Sequence, residues 1–320
     1  MKKFFRLTFI TILILSFAII PCSANSDIRQ KYVRYRKVKI YTEAYNYSPN
    51  KKEAIIFLHG MGGTHSHGKF LYNQSNPYMT ITLDYLDHGN SGHIPVVSWK
   101  TQLDSIKEVL DSYGIKKAHL VGHSFGADTA MMFAKKYPDR VKDIVLLDRA
   151  YYNFKDLEQF NMTKNLSAVL EYDPESGLSK DEQLQYINMS WDSDITRTWN
   201  ITKNVLLISA DTKNFTGDPS TGTPSLAEIV SMIKENPLEF GIDPAEAELL
   251  PDITENNILD LVDFLKTKAD KFAHVNNRFS VVHTSYTHGE MVRDSNAMNE
   301  MRTYVIDYLQ SKNNPIKDCK

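Results

Sequence analysis

Two cysteines, Cys22 and Cys319, are all that the 320 residues contain. So few thiols exclude a disulfide-built scaffold and a thiolate metal centre. Charge of one sign is lacking too. Lys and Arg number 37 against 39 Asp and Glu, a net charge of −2, so nothing marks a nucleic-acid partner. There is no internal repeat and no low-complexity tract. Long apolar runs are absent except for Leu7 to Ile20, which has Lys2, Lys3 and Arg6 before it and Cys22-Ser23-Ala24 behind it. That is the pattern of a secretory signal, with cleavage expected after Ala24. The run is short for a spanning helix and is interrupted by Thr8, Thr11 and Ser16, so no stable membrane insertion is expected after cleavage. Pro21 and Ile19 fit a lipid-attachment signal at Cys22 poorly. The expected location is secreted, periplasmic or cell-surface. The mature chain then keeps a single cysteine and can form no internal disulfide.

The remaining length, roughly 295 residues, suits one large α/β domain with a lid. Residues 31–48 alternate well enough for one or two opening strands. Apolar runs near 54–58, 79–83, 118–121, 144–147, 205–209 and 279–283 read as buried strands. Helical spacing lies between them, for example Leu103, Ile106, Val109 and Leu110 on one face of 101–113. Regular alternation of strand and helix predicts a mostly parallel sheet with helices on both faces. Two stretches break the rhythm. Residues 150–200 are polar, helical in tone and dotted with aromatics, and read as a cap insertion between a core part at 25–149 and another at 201–320. A second insertion spans about 214–275.

The densest chemical signal is Gly122-His123-Ser124-Phe125-Gly126, placed between the strand that ends at Val121 and a helical run over 128–137. A strand, a G-x-S-x-G turn and a helix form a nucleophile elbow, in which the serine sits on a turn so tight that its flanking positions must be small. Gly122 and Gly126 meet that demand. An acyl-transfer serine also needs backbone N–H groups to hold the oxyanion. The residue after the serine, Phe125, supplies one. The glycine-rich loop His59-Gly60-Met61-Gly62-Gly63, after the strand at 54–58, supplies the other from Met61.

With the loop Asp84 to Gly92 and a late histidine added, the chain resembles the α/β-hydrolase fold superfamily, its serine esterases and lipases in particular. The resemblance is good from about 38 to 150, moderate from 278 to 312 and poor between. It implies a Ser-acid-His order. His288, in the loop after the last strand, takes the place of the catalytic histidine, and His283, inside that strand, is expected to be a packed core residue. The acid departs from the pattern. Ala210 stands in the usual glycine position after strand 204–209, and Lys213 or Asn214 falls where the acid belongs. Asp211 is the first choice, Asp148 at the end of the preceding strand the rival, and Asp218 a third candidate.

A serine rather than an aspartate at the elbow points to an acyl-enzyme. The function expected is an exported serine hydrolase of small-molecule carboxylic esters, with no cofactor and no metal. Amidase, peptidase or acyltransferase chemistry on the same residues stays open, as does a non-catalytic binding protein of the same fold. A taste for free α-amines would need a carboxylate cluster in the cap, where Glu158, Glu171, Asp173, Glu175 and Asp181 are available. A rival constellation, His59, His65, His67, Asp87 and His88, lies in two rim loops and offers an H-x-H pair to a metal, but without a following Asp-His.

Overall fold

A computed structural model describes residues 28–311, apart from Ser75, Pro219 and Thr221. The signal expected at 1–24, with Cys22, and the C-terminal Cys319 lie outside the described residues.

The chain opens with a hairpin, β1 (Ile28–Tyr35) and β2 (Val38–Tyr45), turned at Arg36 with φ 52°. Six parallel strands follow: β3 (Glu53–Leu58), β4 (Met79–Leu83), β5 (Lys117–His123), β6 (Val141–Leu147), β7 (Asn204–Asp211) and β8 (Phe279–Thr287). The sheet order is β1-β2-β4-β3-β5-β6-β7-β8, with β2 antiparallel to β4. The central strands carry unbroken apolar stretches such as Ala54–Leu58 and Ile144–Leu147 because both faces are covered. Their side chains alternate with period two. Ile56, Leu58, Leu120, Ile144, Leu146 and Leu207 face one core. Ile55, Phe57, Val121, Val145, Leu147, Leu206 and Ile208 face the other.

The first face carries α1 (Trp99–Ser112) and α2 (Phe125–Lys136). Ser98 and Thr101 form a capping box at the start of α1 and fix where it begins. Between β6 and β7 the chain builds the short helices α3 (Lys164–Leu170) and α4 (Lys180–Trp191). Between β7 and β8 it builds α5 (Lys213–Thr216), α6 (Leu226–Glu235), α7 (Pro244–Glu248) and the long α8 (Glu255–Val275), which packs on β8. The last helix, α9 (Ser295–Gln310), closes the second face. The two insertions meet. Lys180 pairs with Glu246 at 2.6 Å, Asn161 donates to the Asp252 carbonyl at 3.0 Å, and Lys268 reaches Asp156 at 3.4 Å. Together they roof the C-terminal ends of the parallel strands, where an α/β sheet places its ligand sites. Among the described residues no helix is long and apolar enough to cross a membrane.

Candidate active site

The end of β5 and the start of α2 force Ser124 into a sharp turn, with φ 54° and ψ −123°. The crowding around it explains both glycines. A Cβ at Gly122 would lie 2.2 Å from the Gly126 carbonyl oxygen, and one at Gly126 would lie 1.9 Å from that of Leu58. The elbow can therefore pack against β3 only without side chains at those two places. Phe125 is the first residue of α2, so its N–H has no acceptor within the helix.

The loop after β3 lies against the same turn, since a Cβ at Gly60 would come within 3.1 Å of Ser124 Cβ. Two buried histidines hold this loop. His59 Nδ1 donates to the Gly60 carbonyl at 2.7 Å, while its Nε2 accepts the Tyr85 N–H at 3.1 Å. His88 Nδ1 donates to the Leu86 carbonyl at 2.9 Å, and its Nε2 accepts the Gly62 N–H at 3.2 Å. Each ring uses one nitrogen as donor and the other as acceptor, which requires the neutral form. Burial favours that form, pushing His88 down to about 4 and His59 well below its ordinary value. Met61 sits between the two anchored residues and borders the cavity together with Ser124.

His288 follows β8 directly. Its Nδ1 donates to Asp148 Oδ2 at 2.9 Å. Asp148 stands just past β6 with φ 53°, a conformation uncommon outside glycine. Its own N–H bonds the Ile208 carbonyl, and its Oδ1 accepts from the Ala210 N–H at 2.9 Å and from the Tyr151 hydroxyl at 3.3 Å. The turn thus carries the carboxylate sideways across the end of β7 to β8. Asp211, the first choice from the sequence, is not on His288. It ends β7 opposite Thr287, and its Oδ1 accepts the N–H of Lys213 two residues on. An aspartate whose side chain closes its own turn is not offered to a neighbouring strand. Asp218 is occupied likewise, accepting from the Ser220 N–H and hydroxyl. With Asp148 Oδ2 accepting from Nδ1–H, the lone pair of the neutral His288 ring falls on Nε2.

Ser124, His288, Asp148, Asp211 and Met61 border one cavity of about 520 Å³. No hydrogen bond joins Ser124 to His288 among the described residues, and such nucleophile–base contacts are commonly loose before substrate is in place. A narrow extension of about 30 Å³ runs from Ser124 past Met61 and Phe125 to Glu171 and Trp191.

Two features escaped the sequence reading. Arg149, immediately after Asp148, is buried; its guanidinium lies 3.3 Å from Asp128 on α2, donates to the Tyr152 carbonyl, and stacks on Phe154 at 3.9 Å. Asp128 is pushed up to about 6 by burial, against the pull of Arg149. Only the succession of two charges at a strand end, Asp148-Arg149, hinted at this. His123 is the second. Its Nε2 donates to the His288 carbonyl at 2.8 Å, so the residue before Ser124 bonds the backbone of His288. Burial, then His288, pushes its ring well below the usual range.

His283 corrects an expectation. It is half-exposed on β8 and bonds Asp270 of α8 at 2.8 Å, because β8 is an edge strand and its pattern alternates toward solvent. The five rim residues do not converge as ligands. His59 and His88 are spent on the loop, His65 bonds Asp84 at 2.8 Å, and Asp87 Oδ1 accepts the Ile94 N–H. The cap aromatics divide: Tyr186 is buried against His88 and Phe125 and donates to the Leu86 carbonyl, Trp191 is buried against Phe154 at the small cavity, and Tyr151, Tyr152, Phe154 and Tyr172 border the main cavity.

A sequence profile described as the α/β hydrolase fold matches residues 53–217, just over half of the chain. The chain belongs to the α/β hydrolase fold family. Among solved structures, this α/β hydrolase resembles an α/β hydrolase enzyme from a Medee basin deep-sea metagenome library. The TM-score is 0.61 at 17% identity, covering 90% of this chain and all of that one. A probable alcohol acetyltransferase of Wickerhamomyces anomalus is 29% identical over 137 residues, 42% of this chain and 40% of that protein. An sn-1-specific diacylglycerol lipase of Mus musculus is 35% identical over 98 residues, 30% of this chain and 32% of that protein. The chain thus aligns with well under half the length of these two relatives.

Proposed function

We propose that this α/β hydrolase is an exported serine esterase in which Ser124 is the nucleophile, His288 the base and Asp148, rather than Asp211, the orienting acid. The observation that carries the reading is the Asp148–His288 hydrogen bond on the border of the cavity that also takes in the strained Ser124. In the first half-reaction Ser124 Oγ attacks the ester carbonyl and its proton passes to His288 Nε2. The Phe125 and Met61 N–H groups take the charge on the carbonyl oxygen. The C–O bond to the alcohol breaks, and Nε2–H protonates the departing oxygen. A water then gives its proton to Nε2 and adds to the acyl carbon; the acid leaves and Ser124 recovers its proton. Asp148 holds the ring in the tautomer that makes both transfers possible and stabilises the imidazolium between them. Export rests on the charged, apolar and small-residue succession of residues 1–24.

Acyl transfer to an alcohol in place of water is the second reading, favoured by the similarity to an alcohol acetyltransferase. The test is hydrolysis of p-nitrophenyl acetate and butyrate by the chain from Asn25 on, beside Ser124→Ala and His288→Ala, with added ethanol as competing acceptor. Turnover lost in both variants supports the esterase. Ethyl ester formed in preference to free acid moves the assignment to transfer. Absence of both turnover and fluorophosphonate labelling of Ser124 overturns the serine mechanism.

A further inference from the structure

Glu171 is placed where a carboxylate gains nothing from the protein. It caps the C-terminal end of α3, its N–H bonding the Ser167 carbonyl at 2.9 Å, so its charge sits at the negative end of the helix dipole. Its carboxylate has no hydrogen-bond or ion-pair partner among the described residues. Three other lid acids are employed: Glu158 accepts from the Trp191 indole at 3.2 Å, Asp173 closes the turn at Glu175, and Glu182 bonds His93 at 2.6 Å, whereas the exposed Glu175 and Asp181 do not line either cavity. Of the two arginines that line the main cavity, Arg149 is taken by Asp128, and Arg293 makes no ion pair with Glu171 among the described residues. The residue is nonetheless held firmly, for the buried Gln183 donates to its backbone carbonyl.

Glu171 borders both the main cavity and the narrow extension that reaches Ser124, Met61 and Phe125. Glu171 is an exposed residue at the border of the main cavity. In the small cavity beside Ser124 Glu171 is the one charged lining residue among the described residues, and its carboxylate keeps its acceptor oxygens free for a ligand cation. The extension of about 30 Å³ has room for one small polar group, the size of a water or an ammonium.

Building on the serine-esterase reading, we propose that Glu171 is the binding site for a protonated primary or secondary amine on the substrate, so that amino-bearing esters are the preferred substrate class. The ammonium donates to the Glu171 carboxylate while the ester carbonyl lies between Ser124 and the Met61 and Phe125 N–H groups.

The experiment compares p-nitrophenyl 4-aminobutyrate with p-nitrophenyl pentanoate, of matched length, and 2-aminoethyl butyrate with propyl butyrate, in the parent and in Glu171→Gln. The two pairs place the amine on the acyl and on the alcohol side. In at least one pair, kcat/KM in the parent favours the amine, and Glu171→Gln lowers that preference by about 10- to 100-fold, the worth of a hydrogen bond to a charged group. Glu171→Gln melts no lower than the parent, since it removes an unpaired charge. A parent that hydrolyses the neutral esters at least as well as the amines, with a ratio that Glu171→Gln does not change, overturns the amine site and leaves the esterase standing. Binding of 4-aminobutyramide and of pentanamide to Ser124→Ala by calorimetry reads the site without turnover. Tighter binding of the amine, lost on adding Glu171→Gln, supports it even if the ester chemistry fails, and equal binding counts against it.

Discussion

At the ends of β3 and β5, backbone meets backbone: Gly126 against Leu58, Gly122 against Gly126, Gly60 against Ser124. At the ends of β6, β7 and β8, side chains reach across strands: Asp148 to the Ala210 N–H and to His288, and Arg149 to Asp128. The first arrangement admits almost no variation, because a single Cβ collides with a carbonyl. The second tolerates several placements of an acid and is fixed only by which strand end turns toward the histidine. The Ser124 half is therefore set by sterics and the His288–Asp148 half by hydrogen bonding, so the two should break in different ways.

The largest expected effect lies in the second half and is on rate. Asp148→Asn leaves the Ala210 and Tyr151 contacts geometrically possible but favours the wrong His288 tautomer. Loss of ester turnover by about 10⁴-fold in kcat is expected, the scale of such a change in a Ser-His-Asp triad, with the melting temperature little altered. Asp211→Asn keeps its oxygen for the Lys213 N–H and should cost less than about threefold, well below the tenfold that 1.36 kcal/mol represents. Steady-state kinetics on one ester decides between them, and the reverse ranking would return the acid to Asp211.

The first half breaks by misfolding. Gly126→Ala puts a methyl 1.9 Å from the Leu58 carbonyl, and backbone on both sides must move. A stability loss of at least ~3 kcal/mol is expected in urea melts, at or beyond the upper end of ordinary overpacking. Arg149→Ala tests whether side-chain pairing matters as much. It strands a buried carboxylate on α2 and should cost about 3–5 kcal/mol. Asp128→Leu combined with Arg149→Met should recover most of that, because a buried pair is commonly replaceable by apolar side chains of similar volume. A double variant as unstable as the single one would mean that the Tyr152 carbonyl and Phe154 contacts, rather than the charges, hold Arg149.

The same division separates what the sequence disclosed from what it did not. The elbow, the loop at 59–63 and all the strands of the sheet are legible because their constraints are local. Small residues beside Ser124 and apolar runs in strands covered on both faces are written within a few positions of where they act. The sequence ranked Asp211 ahead of Asp148, the residue that bonds His288, because both follow apolar strands. What separates them is the positive φ at Asp148 and the adjacency of β6 to β7, neither of which leaves a mark in residue type. His283 was read as core because β8 begins with apolar residues, and the strand's edge position is a property of the whole sheet. His59 and His88 stood out as residues of a candidate metal rim. Their work as loop anchors depends on a Gly62 N–H and a Tyr85 N–H that no side-chain pattern announces.

The anchors also give the smallest effect, in the pH dependence of stability. His88 stays neutral in the folded chain down to about pH 4, whereas an unfolded histidine takes its proton near 6.5. Between those values the unfolded chain binds more protons, so stability rises with pH and is lost as pH falls from about 6.5 to about 4. A shift from 6.5 to about 4 corresponds to about 3 kcal/mol for this ring alone. His59 and His123 are shifted in the same direction and add to it. Melts between pH 4.5 and 7.5 should show the slope, and His88→Asn should flatten part of it, because a carboxamide oxygen can still accept the Gly62 N–H without titrating. If the slope keeps its full size in His88→Asn, the acid sensitivity belongs to His59 or His123 rather than to His88.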